Sequence, residues 1–292
     1  MLPHDGRSWW CGPLAVRAAL MTPAGLLILA ALVLPLGYLL RVSFLPSGEV
    51  VGHASGLSFQ NYLRIFGDPF YRLVLRETLE TGVLVTLLTL ALGFPLGHSL
   101  ARQRGNKRVW RTGLVLLPLT VSLVVNVFGW LVILGNLGLV NQILAYTGLA
   151  DAPLKLLYSR TAVTVVLTQI ALPFQVLSVM SVVANIDPSL EEASANLRAS
   201  RPKTFFTVIL PLAWPGIVAG STLVFMLTVT AFVTPQLVGG VRTHMIGPII
   251  YEQMIVVLDW PFGAALAVVL LLMSLGTLLL GHATLRRRRA KI

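Results

Sequence analysis

Charge is scarce in this sequence. Only 11% of its 292 residues are Asp, Glu, Lys or Arg, where a soluble domain carries about 25%. Cysteine is scarcer still. A lone Cys11 excludes an internal disulfide and a cysteine metal site. No nucleotide-binding loop exists either. The four lysines follow Asn106, Leu154, Pro202 and Ala290, so the Gly-Lys-Ser/Thr that cradles phosphates is missing. The five histidines (His4, His53, His98, His244, His282) form no His-x-x-x-His pair, and no Gly-x-Ser-x-Gly occurs. No apolar run holds two carboxylates. These absences argue against a membrane-embedded enzyme. The near absence of ionisable groups within the apolar runs argues against an ion-driven carrier. Neither a catalytic residue nor a metal site is expected.

What is present is apolar length. The chain is 56% hydrophobic, with a mean hydropathy of +0.83. A bilayer core of about 30 Å needs roughly 20 apolar residues as helix. Six windows reach that length: Pro23–Leu40, Thr78–Ala101, Thr112–Leu134, Thr161–Ile186, Thr204 to about Pro235, and Pro261–Leu285. Only Glu80 puts an Asp, Glu, Lys or Arg inside one of them. A charge at the bilayer centre costs on the order of 3 kcal/mol on insertion scales, so the pattern is informative. The runs are continuous, not alternating, which predicts helices and not barrel strands. Their prolines (Pro35, Pro95, Pro118, Pro173, Pro211, Pro215) are tolerable where neighbouring helices satisfy the freed carbonyls. The uncharged run from Thr204 to Val241 exceeds one span. It predicts a helix followed by an interfacial or re-entrant piece near Thr234–Gly240.

The fold class expected is an all-α integral membrane protein with six transmembrane helices. The net charge of +11 raises the possibility of nucleic-acid binding, but its distribution argues otherwise. With both termini on one side, that side holds 15 Lys and Arg against 7 on the other, and acids divide 4 against 7. The positive-inside rule then places both termini in the cytoplasm. The run Arg286–Arg289 reads as an anchor on anionic headgroups of membrane lipid. The first apolar run exceeds a signal-peptide core and lacks a small-residue cleavage site. It reads as an uncleaved first helix. The chain thus divides into a cytoplasmic tail (1–22), a six-helix domain (23–285) and a basic tail (286–292).

Two loops on the outer side carry short helices. Phe59, Tyr62, Leu63 and Phe66 fall at helical spacing, and Gly138–Leu149 shows apolar spacing between glycine breaks. The loop 187–203, on the opposite side, is the most specific. Asp187 as N-cap and Pro188 behind it make a strong helix start. A helix from there to about Leu197 puts Leu190, Ala193 and Leu197 on one face and Glu191 near its positive end. Arg198–Pro202 ends it, and Pro202 opens the next helix.

This loop resembles the Glu-Ala-Ala…Gly…Ile-x-Leu-Pro loop of ABC importer permeases. Glu192, Ala193 and Ser194 match Glu-Ala-Ala. Arg198 stands where the family has Gly, and Ile209-Leu210-Pro211 matches the end with the wildcard position lost. A glycine there takes φ > 0 freely, whereas Arg does not. The Arg predicts either a turn with φ < 0 or tolerated strain. Asn61-Tyr-Leu-Arg64 with Asp68-Pro69, the stretch with Gly138, Asn141, Gly148-Leu149, Pro153-Leu154 and Tyr158, and Asp259-Trp-Pro-Phe-Gly-Ala-Ala265 resemble the spermidine/putrescine branch. The resemblance covers about 23–285. It implies the type I importer permease fold in a bacterial inner membrane, working by alternating access. It implies as partners two ATP-binding subunits, a second permease and an extracytoplasmic solute-binding protein. ATP and Mg would sit on the ATPase, with no cofactor on this chain. Glu191, Glu192, Ala193, Ser194, Leu197, Arg198, Ala199 and Ser200 would form the coupling helix that docks on it.

A polyamine is a flexible polycation, drawn to carboxylates and aromatic faces. Candidates are Glu77, Glu80, Tyr251, Glu252, Asp259 and Trp260. Other readings stay open: Glu77 and Glu80 as caps of the second helix, Asp259 as N-cap of the sixth with Trp260 as interfacial anchor. Asn126 and Gln169 read as interhelical glue. Relatives of this class also carry ferric iron, thiamine, opines and amino-phosphonates.

Overall fold

The computed structural model describes residues 14–48, 56–149 and 152–289, and every regular element among them is helical. Twelve α-helices follow in order: α1 (Leu14–Ser43), α2 (Gln60–Gly67), α3 (Pro69–Ala101), α4 (Asn106–Thr120), α5 (Leu123–Leu134), α6 (Leu139–Tyr146), α7 (Arg160–Val183), α8 (Ser189–Asn196), α9 (Arg201–Thr204), α10 (Leu210–Val229), α11 (Ile246–Tyr251) and α12 (Trp260–Arg289). A π turn, Phe205–Ile209, joins α9 to α10 without a break. Six helical stretches are long and apolar enough to cross a membrane. Helix is the form such sequences must take, because lipid offers no partner for an unpaired backbone N–H or C=O.

The observed helix bounds differ in places from the expected spans. Helix α1 starts at Leu14, so residues 14–22 of the expected tail are helical, while residues 1–13, with Cys11, lie outside the described residues. Helix α12 runs through Arg289, into the expected basic tail, whose last residues 290–292 also lie outside. Helix α3 begins at Pro69, nine residues before the expected span, because Asp68 caps it by accepting from the Phe70 N–H at 2.8 Å. Glu77 and Glu80 therefore sit within the helix and do not cap it. The expected third span, Thr112–Leu134, is broken. Val121 is extended (φ −90°, ψ 138°), which ends α4 and starts α5 anew. The membrane-length stretch found there is Leu123–Tyr146. Helix α10 ends at Val229, and a separate π turn, Pro235–Gly239, occupies most of the expected interfacial piece.

Three helices, α3, α7 and α10, form the centre of the bundle, with α12 against α10 and α1 outermost against α12. Small residues bring the central three together. Gly93 and Gly97 on α3, and Gly216 and Gly220 on α10, all face α7. A Cβ at Gly97 would lie 2.8 Å from the Val176 carbonyl oxygen, and one at Gly216 2.7 Å from that of Ser178. Both pairs are spaced Gly-x-x-x-Gly, which lets backbones approach closely. Lipid tails are as apolar as leucine, so this fit, and not burial from water, holds the helices together. On α1, by contrast, Leu26, Leu27, Ile28, Leu32 and Leu34 are all exposed, as a lipid-facing helix requires.

The residues of the polyamine-branch stretches turn out to fix loops. Asn61, buried, donates to the carbonyls of Ser43 (3.0 Å) and Leu45 (2.8 Å), tying α2 to the end of α1. Asn141 donates to the Gly135 and Leu154 carbonyls and accepts from the Leu154 N–H at 2.9 Å. Arg64 lies over the Phe262 ring, 4.2 Å from its centre, and 4.0 Å from Asp259. These contacts tie α2 to the end of α1 and the start of α12, and α6 to the loops on either side of it, at one end of the bundle. Helix α8 and the described chain ends lie at the other.

Candidate functional site

Helix α8 is a short polar helix held between two spans. Asp187 starts it as expected: its Oδ1 accepts from the Ser189 N–H at 2.9 Å. The N–H and the Ser189 hydroxyl hold the Asp187 carboxyl below its ordinary value. Its other end closes on Arg198. The Ala199 N–H donates to the Ser194 carbonyl (3.1 Å) and the Arg198 N–H to that of Ala195 (2.9 Å). That pair of bonds is the Schellman closure, which needs a left-handed residue just past the helix. Arg198 supplies it at φ +58°. Of the two turns open in the sequence, the strained one is present. A side chain in this region costs about 1–2 kcal/mol relative to the right-handed one. The backbone keeps a glycine's geometry without the glycine.

Two side-chain contacts attach α8 to the bundle. Glu191 pairs with Arg102 just past the end of α3, and Arg102 also donates to the Ile186 carbonyl at 2.8 Å. Ser194 shares a hydrogen bond of 2.8 Å with Thr204 at the root of the α10 span. The opposite face is bare. Leu197 is 84% exposed and Leu190 44%, and Glu192, Ala193, Arg198 and Ser200 are exposed as well, with Ala199 half-buried. The helix is thus held on one side and offers an apolar stripe with a carboxylate on the other. Arg102 went unnoticed in the sequence because it read only as one of the basic residues of its loop.

The remaining candidates lie at the far end and are not drawn into one cluster. Glu80 is held by two arginines, Arg76 one turn before it (2.6 Å) and Arg160 at the start of α7 (2.8 Å). Arg160 also donates to Thr81 at 3.3 Å. Glu77 accepts from the His244 backbone N–H at 2.9 Å, and Thr78 accepts from that of Ile246 at 3.0 Å. Together they pin the segment leading to α11 onto α3. Asp259 is buried. It accepts from the Phe262 N–H at 3.2 Å and from Ser47, and so caps α12. Trp260 and Glu252 are exposed. Tyr251 packs on Phe232, with ring centres 4.9 Å apart. Among the described residues, no three His, Cys, Asp or Glu side chains come together as metal ligands.

Six apolar crossings around a glycine-lined core, with one short polar helix slung between two of them, define a membrane permease. The chain belongs to the family described as "binding-protein-dependent transport system inner membrane component", which matches residues 93–291. It is an ABC importer permease of the type I class, a multi-pass protein of the bacterial inner membrane. The spermidine/putrescine transport system permease protein PotB of Escherichia coli K12 is 33% identical over 245 residues, covering 80% of this chain and 89% of that one. PotB of Haemophilus influenzae is 31% identical over 229 residues, covering 78% and 80%. The crystal structure of a bacterial ABC transporter that imports the acidic polysaccharide alginate superposes with a TM-score of 0.73. It covers 94% of this chain and 96% of its own at 18% identity, and so bears on the fold alone.

Proposed function

We propose that this chain is the permease subunit of a polyamine importer, moving spermidine or putrescine inward by alternating access. The observation that carries the coupling half of this reading is α8, anchored to the bundle through Arg102 and Thr204 and bare on its other face. Such a helix transmits a push into the end of α3 and into α9, which continues through the π turn into α10. In this reading, Glu191, Glu192, Ala193, Ser194, Leu197, Arg198, Ala199 and Ser200 engage a separate ATPase. Two such subunits bind ATP and Mg and hydrolyse the nucleotide. A second permease completes the pathway, and a solute-binding protein delivers cargo at the α2 end. The excess of Lys and Arg at the α8 end supports a cytoplasmic location for that end and both termini. The polyamine half rests on likeness to the two PotB proteins. Of the far-end candidates, Tyr251, Glu252 and Trp260 are exposed and suit the approach of a polycation, while Glu77, Glu80 and Asp259 are engaged in internal contacts.

The test of coupling is Glu192→Lys, which reverses charge on the bare face and touches no internal contact. Uptake is expected to be abolished with membrane insertion intact. Normal uptake by a well-expressed variant contradicts the assignment.

A further inference from the structure

A cavity of about 500 Å³ opens at the two places where the helices break. One wall is the α4–α5 break, with Val121 and Asn126. Another is the end of α10 and the residues after it, Thr228 to Thr234. The third is the middle of α7, with Ile170 and Phe174. At 1.5 Å per residue, Ile170 lies roughly 15 Å along a helix of roughly 36 Å. The cavity therefore sits near mid-depth in the membrane. Interrupted helices at that depth are where transporters expose backbone and polar groups to cargo. The volume falls within the range of small-molecule pockets, about 300–1,000 Å³.

The lining chooses the sign of its guest. No Lys, Arg or His borders the cavity, and no Asp or Glu. Two of its three threonine hydroxyls are already committed as donors: Thr228 Oγ1 donates to the Val224 carbonyl at 2.8 Å and Thr230 Oγ1 to that of Met226 at 2.7 Å. Those two oxygens keep only lone pairs for a ligand. The Asn126 carbonyl adds another acceptor. Phe174 and Phe232 add ring faces, which attract cations. Acceptors and aromatic rings without a cationic side chain fit an ammonium group, whereas a carboxylate or oxyanion meets no cation there and, among the side chains, only the Asn126 amide N–H and the Thr234 hydroxyl as donors. The lack of a carboxylate keeps the hold weak, so cargo that enters can leave. The ring of Phe232 is also the one that Tyr251 packs on, which links the far-end candidates to the interior.

We infer that this cavity is a way-station for the primary ammonium groups of the cargo, with Asn126, Thr228, Phe174 and Phe232 as its contacts. The inference rests on the polyamine reading above. Its test uses the complete transporter in vesicles, with both permeases, the ATPase and the binding protein. Radiolabelled putrescine uptake and binding-protein-stimulated ATP hydrolysis are measured side by side. Phe232→Leu and Asn126→Leu are each expected to lower uptake about 3- to 30-fold, with stimulated hydrolysis within twofold of wild type. Wild-type uptake matched by both variants overturns the site alone. Wild-type vesicles that hydrolyse ATP normally but take up no polyamine overturn the polyamine reading and the site with it. Should a variant fail to assemble, an aryl-azide derivative of putrescine decides the matter on the wild-type complex. Photolabelling within 118–126, 170–174 or 228–234 supports the site, and labelling confined to the end loops overturns it.

Discussion

The most exposed physical claim is that α7 is clamped by glycines and that their missing side chains hold the bundle together. Gly216→Ala adds one methyl group. Its carbon would sit 2.7 Å from the Ser178 carbonyl oxygen and 2.9 Å from a Val182 methyl. The first neighbour is backbone and cannot rotate away, so α10 must back off from α7. Overpacking of this kind costs about 1–3 kcal/mol. At about 2–4 °C per kcal/mol for a protein of this size, the loss is roughly 2–12 °C. Gly37→Ala on α1 is the matched control, since a Cβ there meets nothing within 4 Å. Its effect is limited to helix propensity, at most about 1 kcal/mol and favourable. Both variants are purified in mild detergent and heated, and the fraction remaining monodisperse is followed against temperature. A clear drop is expected for Gly216→Ala and no drop for Gly37→Ala. Equal behaviour of the two refutes the clamp.

Helix α8 can be tested at both ends and at its anchor. Arg198→Gly removes a side chain from the left-handed region and should slow hydrogen exchange across 189–199, by about 1 kcal/mol of local stability, with uptake retained. Arg198→Val, β-branched at φ +58°, should speed that exchange and depress uptake. Arg102→Glu should impair uptake by setting two acids against each other, and adding Glu191→Arg should restore part of it; no rescue contradicts the pairing. Asp187 is held below its ordinary value by the N–H and hydroxyl of Ser189, so its cap is present above the usual carboxylate range and lost as pH falls below it. Protection of the α8 N-terminus measured across that acid range should decline in the native protein. In Asp187→Asn, an uncharged cap, it should stay flat.

The fold was legible because lipid enforces a simple rule: uncharged runs of about 20 residues must be helix. Loop 187–203 was legible because its start and stop residues act locally, through Asp187 and the turn at Arg198. What stayed hidden depends on partners distant in sequence. Glu77 and Glu80 read equally well as caps, because Asp68, nine residues before Glu77, claims the helix start through its own hydrogen bond. The break at Val121 follows no glycine and lies past Pro118, so hydropathy runs straight through it. The Gly93-x-x-x-Gly97 and Gly216-x-x-x-Gly220 pairs were written in the sequence, and their spacing is the signal that would have revealed the α7 clamp. Gln175, fully buried between Gly93 and Gly220, had no such signal, since a single amide in an apolar run looks like any other.

We propose that this permease serves polyamine import. This role is tested most directly by uptake of radiolabelled putrescine and spermidine in native cells, with the gene present, deleted and restored. Uptake is expected to be lost on deletion, to return with the gene, and to be suppressed by unlabelled polyamine competitors. Uptake that is unchanged in the deleted strain, under conditions where the transporter is produced, contradicts it.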